Sequence, residues 1–110
     1  MRRLKRSECV VMPLVLTYKW YDMIDKGDKR EEYRDATSWY ETRFNNFMYA
    51  FQYEGKRYPV VAFQRAYTKP GMYWLCEVLF RSEGCKHPEW GEPESSHWVL
   101  HLLERIELEE

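Results

Sequence analysis

A chain of 110 residues is long enough for one domain and too short for two independent cores. Hydrophobic residues at 45 % and aromatics at 17 % supply that core and exclude a disordered chain. With 17 Lys and Arg against 18 Asp and Glu, the net charge of −1 excludes a globally basic nucleic-acid binder and leaves only a local basic face open.

In chain order, the start Met1-Arg2-Arg3-Leu4-Lys5-Arg6 is basic but lacks the apolar core and small-residue cleavage site of a signal peptide. This tail either touches nucleic acid or frays. Residues 13–18, PLVLTY, are short, apolar and β-branched, and predict a buried strand. In residues 19–27, KWYDMIDKG, the positions of Trp20, Met23 and Ile24 share one helix face, and Gly27 sits where a glycine ends a helix. The period then changes to two. Arg30, Glu32 and Arg34 fall on one side of a strand, Glu31 and Tyr33 on the other.

Thr37 and Ser38 are potential caps of a second short helix carrying Trp39, Thr42, Arg43 and Phe44. Residues 47–67, FMYAFQYEGKRYPVVAFQRAY, predict two strands around the turn Glu54-Gly55-Lys56. Residues 68–71 predict a further turn with Pro70 and Gly71 at its centre, and residues 72–81 a strong strand. Residues 82–96 form a Gly/Pro/Ser-rich loop holding Trp90, and residues 96–108 a final strand or pair. The expected fold is α+β in a single domain with its core at about residues 13–106. It is a small closed or half-closed barrel of five or six mostly antiparallel strands with two short helices near the N-terminus.

No apolar run approaches the ~18 residues of a bilayer span, so a cytoplasmic protein with no membrane partner is expected. Cys9, Cys76 and Cys85 are an odd number and fit reduced thiols better than a disulfide framework. Metal sites look poor: Cys85 and His87 are too close together for a zinc knuckle, and His97 with His101 makes only a pair. No cofactor is expected, since phosphate-loop and dinucleotide fingerprints do not occur.

The most informative motif is Gly27-x-Lys29-x-x-Glu32-x-Arg34. Gly27 frees the backbone at the helix end, Lys29 follows, and Glu32 and Arg34 project from one strand face. Turned into a cleft, this set binds a phosphate or a base edge, or supports acid–base chemistry. Turned outward, it is a solvated strand with weak ion pairs. Trp39, Tyr40, Tyr67 and Trp90 stand beside Arg43, Arg65, Lys69 and Lys86, the mixture that stacking on bases requires. The same aromatics also serve to plug the ends of a small barrel.

The run KWYDMIDKGDKREEYRD, followed by SWYETRF, resembles the start of ASCH domains, in the PUA-like superfamily, of the compact bacterial and phage type. FQRAY before a turn and HPEWGEPESSHWVLHLLERI are similar to later segments of that type, so the resemblance runs from about Pro13 to Ile106. It implies a small β-barrel flanked by helices, with a cleft where the motif meets the barrel mouth.

Binding of RNA or a modified nucleotide is the function it implies first, with Lys29, Arg34, Trp39, Arg43, Arg65, Tyr67, Glu89 and Trp90 as the contacting residues. Some members are amidohydrolases that deacetylate acetylcytidine through a Lys, a Thr and a Glu, and others are ribonucleases. Their lysine falls on Lys29, but the threonine position holds Glu32, and the glutamate has no clear counterpart, Glu89 and Glu92 being the candidates. An enzyme would therefore run on a Lys29–Glu32 acid–base pair oriented by Arg34.

Overall fold

The computed structural model describes residues 1–109. Its strands are β1 (Arg2–Lys5), β2 (Cys9–Leu16), β3 (Glu31–Asp35), β4 (Tyr58–Arg65), β5 (Pro70–Arg81) and β6 (His97–Glu109), with helices α1 (Tyr18–Lys26) and α2 (Ser38–Tyr53). All six strands join one sheet in the order β1-β6-β5-β4-β2, and β3 pairs with β6 beside β1. The β3–β6, β4–β5 and β5–β6 pairings are antiparallel, while β1–β6 and β2–β4 are parallel. The fold is α+β as expected, with a mixed sheet that does not close into a barrel.

The reason lies at the outer edge of β2. Pro13 has no N–H to offer a further strand. The carbonyls of Pro13 and Val15 instead accept from the side chains of Arg43 on α2 and Arg34 on β3. Two guanidinium groups occupy the place where a closing ladder would run.

α1 ends where the sequence places its stop: Gly27 adopts φ +86°, and the N–H groups of Gly27 and Asp28 return to Ile24 and Met23. Ile24 is fully buried on its inner face. Thr37 caps α2, its Oγ1 accepting from the Tyr40 N–H at 3.3 Å. Residues 47–53, expected as a strand, continue α2 instead. Their aromatics favour strands only where they fit a pleated surface. Here Phe44 and Phe47, one helical turn apart, both reach the core.

The turn after β4 is also displaced. It falls on residues 66–69, with Ala66 at φ +53°, and Pro70 opens β5 as a first-strand residue. The basic start is β1, paired with residues 106–109 of β6, so the fold extends beyond residues 13–106 at both ends. Arg2 and Arg3 meet Glu104 and Glu107 there.

The main core gathers Leu14, Leu16, Ile24, Phe44, Phe63, Met72, Leu100 and Leu102 between the helices and one sheet face. All three cysteines are unpaired, and burial pushes the Cys76 thiol up to about 12, which makes it a packing residue. No helix among the described residues is long and apolar enough to cross a membrane.

Phe44 stacks on Tyr40 at 5.8 Å and packs against Trp98 at 5.4 Å. Phe44→Ala is expected to cost about 3–5 kcal/mol, measured as a lower urea midpoint with an unchanged slope.

Candidate functional site

β3 presents opposite chemistry on its two faces because its residues alternate. Glu32 and Arg34 turn toward the helices, and Glu31 and Tyr33 toward the loop of residues 82–96. As the period predicts, Glu32 and Arg34 share a side, with Arg34 Nη1 2.5 Å from Glu32 Oε2. The other Glu32 oxygen lies 2.9 Å from Lys29 Nζ, so one carboxylate bridges two cations.

Lys29 is only 1 % exposed. Its ammonium donates to the Trp90 carbonyl at 2.6 Å and lies over the Trp20 ring at 4.0 Å. Burial pulls its pKa below the ordinary lysine value, and Glu32 opposes that fall. The Trp20 ring also fixes the loop, because a Cβ on Gly91 would come within 2.6 Å of it. Only glycine fits there, and Gly91 also holds φ +81°.

The opposite face holds a second buried network. Glu31 accepts from the Tyr33 hydroxyl at 2.9 Å and pairs with His101 at 3.1 Å. Burial, and then the Glu31 carboxylate, push the Tyr33 phenol far above its ordinary range. Glu92 is 6 % exposed and accepts from Arg81, from His97 Nε2 at 2.7 Å, and from the backbone N–H groups of Lys86 and His87. It anchors the loop to β5 and β6. Glu89, by contrast, is exposed; a backbone N–H and then His87 hold its carboxyl below the usual range. Trp90 stacks on His87 at 4.0 Å.

A groove opens on the side of Arg34 that faces away from Lys29. It encloses about 530 Å³ and is lined by Pro13, Val15, Arg34, Tyr40, Arg43 and Tyr67, with Trp39, Leu14 and Gln64 completing its wall. A second hollow of about 540 Å³ shares Trp39 and Arg43 and continues along α2 past Thr42 and Asn46. Trp39 is 67 % exposed and Tyr67 95 %. Arg34 spends donors on Glu32, Tyr33 O and Val15 O. Among the described residues Arg43 has no carboxylate partner and donates only to Pro13 O, so most of its five N–H groups stay available.

The fold thus divides the residues singled out from the sequence. Arg34, Trp39, Arg43 and Tyr67 converge on the groove. Lys29 and Glu32 are buried outside its lining, and the half-buried Trp90 gives its backbone carbonyl to Lys29. Arg65 is drawn aside, forked onto Asp22 at 2.9 and 3.0 Å and seated over Tyr18. Glu89 sits at the far side of the loop. Tyr40 and Gln64 line the groove as well; Tyr40 follows Trp39 directly in the aromatic–cation mixture, whereas no periodicity marks Gln64. The Arg81–Glu92–His97 cluster is a long-range product of the loop and carries no local signal. Among the described residues no group of three or more His, Cys, Asp or Glu is arranged to hold a metal ion.

Removing the Glu32 carboxylate leaves Lys29 and Arg34 facing each other without a counter-charge. Glu32→Gln is expected to cost about 3–5 kcal/mol in urea unfolding. Its pH dependence has a definite sign. The Lys29 pKa is depressed in the folded state, so from that lowered value up to about 10.4 the unfolded chain holds the extra proton and stability rises with pH. In Glu32→Gln the opposing carboxylate is gone and the rise begins at lower pH; in Lys29→Met it disappears.

Compared with protein-family models, with curated proteins and with solved structures, the chain matches none.

Proposed function

We propose that this chain is a PUA-like, ASCH-type binding module that holds single-stranded RNA or a modified nucleotide in the groove between β2 and α2. One observation carries the reading: Arg34, Trp39, Arg43 and Tyr67, drawn from β3, α2 and the β4–β5 turn, line a single hollow. Exposed aromatic faces beside an uncompensated guanidinium suit a nucleobase and its phosphate. The unclosed seam of the sheet supports a half-closed version of the PUA-like barrel, with the ligand where closure would occur. In this reading Lys29 and Glu32 act at one remove, by fixing Arg34.

A second reading, a hydrolase for modified nucleosides, draws support from Lys29 itself. Its pKa is lowered and it stands 2.9 Å from Glu32, the pairing that general acid–base catalysis uses. The ammonium is covered by Trp20 and Trp90, so this activity requires the loop of residues 82–96 to lift.

Fluorescence titration with a labelled single-stranded RNA separates the two. Trp39→Ala is expected to weaken binding by about 1–3 kcal/mol, and Arg43→Ala to reduce the salt slope by about 0.7. Wild-type affinity that ignores both substitutions and salt would sink the binding reading. Incubation with acetylcytidine, followed by mass spectrometry, tests the second. Turnover by the wild type that vanishes in a folded Lys29→Ala establishes the hydrolase; no turnover removes it.

A further inference from the structure

The groove assigned to RNA and the hollow beside it have two side chains in common, Trp39 and Arg43. These stand four residues apart on α2 and so form a ridge along the helix. On one side of the ridge Tyr40 and Phe44 turn toward the core. On the other, Ser38, Thr42 and Asn46 repeat every four residues and are exposed. The ridge therefore parts an inner hollow from an outer one.

The two hollows are nearly equal in size, about 530 Å³ inside the ridge and about 540 Å³ outside it, each within the roughly 300–1,000 Å³ of a small-molecule site. Their chemistry is unequal. The inner hollow has Arg34 and the rings of Tyr40 and Tyr67. The outer one adds to the ridge only two hydroxyls and an amide, and these three side chains make no hydrogen bond among the described residues.

The shared pair matches one step of a nucleic-acid strand. Between two successive nucleotides lie one stacking gap and one phosphodiester. Trp39, 67 % exposed, offers an aromatic surface for the gap. Arg43, with no carboxylate partner among the described residues, offers a guanidinium for the phosphate. A single nucleoside fills one hollow and leaves the other empty.

We propose that the smallest unit this site recognises is a dinucleotide step of single-stranded RNA. One base lies in the inner hollow beside Tyr67, and the next in the outer hollow against Ser38, Thr42 and Asn46. The Trp39 ring stands between them, and the linking phosphate sits on Arg43. This two-residue site rests on the reading of the groove as an RNA site, and it excludes a lone modified nucleotide as the ligand. The exposed stripe of α2 thereby gains a task, since a base edge or a ribose hydroxyl pairs with its hydroxyls and amide.

Calorimetric titration of the full chain with oligoadenylates and oligouridylates of one to four residues, made without terminal phosphates, tests the step. Both series serve, because stacking tolerates any base. The dinucleotide is expected to bind at least about tenfold more tightly than the nucleoside. From two residues to four the affinity is expected to rise no more than about threefold, as the number of registers open to a two-residue site grows. Asn46→Glu, an exposed position one turn from Arg43, gives that guanidinium a carboxylate partner and is expected to abolish the dinucleotide's advantage. Circular dichroism checks that α2 is intact, and the wild-type length series decides by itself should that variant unfold. A nucleoside bound as tightly as the dinucleotide overturns the step and leaves the groove standing as an RNA site. So does an affinity that keeps climbing about tenfold with each residue beyond two, or binding that begins only with longer RNA. An advantage that survives in a folded Asn46→Glu also overturns it. No binding of RNA at any length sinks the groove reading itself, and the step with it.

Discussion

Burial of the Lys29 ammonium is the constraint on which the rest of the site depends. A charge with almost no solvent access has to be met on every side, and four groups from three segments meet it. The indole of Trp20 comes from α1, the carboxylate from Glu32 on β3, the carbonyl from Trp90 in the loop, and the ring of Tyr33 from the next residue along. None of these contacts is strong enough alone to offset desolvation of an ammonium. Together they fix the angle between α1 and β3 and hold the loop of residues 82–96 against the sheet. Gly27 belongs to the same arrangement, since its left-handed turn reverses the chain tightly enough to bring Lys29 back under Trp20.

That arrangement splits the Gly-x-Lys-x-x-Glu-x-Arg motif into two jobs. Lys29 and Glu32 are internal, and Arg34 is the one member that reaches the groove. Glu32 anchors the guanidinium from within, and Val15 O receives it across the seam. The charge that lines the groove is therefore held by its own framework, with little rotamer freedom left to lose on contact with a ligand. Arg43 differs in kind. Among the described residues it has a single backbone acceptor and no counter-charge, so it is the more adaptable of the two cations.

Local rules made much of this legible. The Gly27 stop, the Thr37 cap and the two-residue period of β3 depend on near neighbours and came out as the sequence predicts. Residues 47–53 did not, because aromatic content favours a strand in general, whereas the contacts of Phe44 and Phe47 with the core decide for a helix here. The pairing of Arg2–Lys5 with residues 106–109 is invisible to any local rule. Burial of Lys29 was equally hidden: its spacing from Glu32 suits a solvated pair as well as an internal one, and only the arrival of Trp20 and Trp90 from elsewhere in the chain distinguishes them. The convergence of Trp39, Arg43 and Tyr67 was suggested by composition, but Arg65, chemically identical and two residues from Tyr67, is captured by Asp22.

The hub position of β6 has a consequence for how the fold is reached. β6 pairs with β1, β3 and β5, yet it is the last strand in chain order. Before it arrives, only the β2–β4–β5 ribbon has partners, and β1 and β3 have none. Those two strands must wait for a segment 70 to 104 residues away in sequence, as the registers Glu31↔His101 and Arg2↔Ile106 require. Such distant pairings make folding slow relative to a chain of this size and hold it until β6 is released from the ribosome. Until then Leu4, which packs against Ile106, and the whole of β3 lack the strand that covers them.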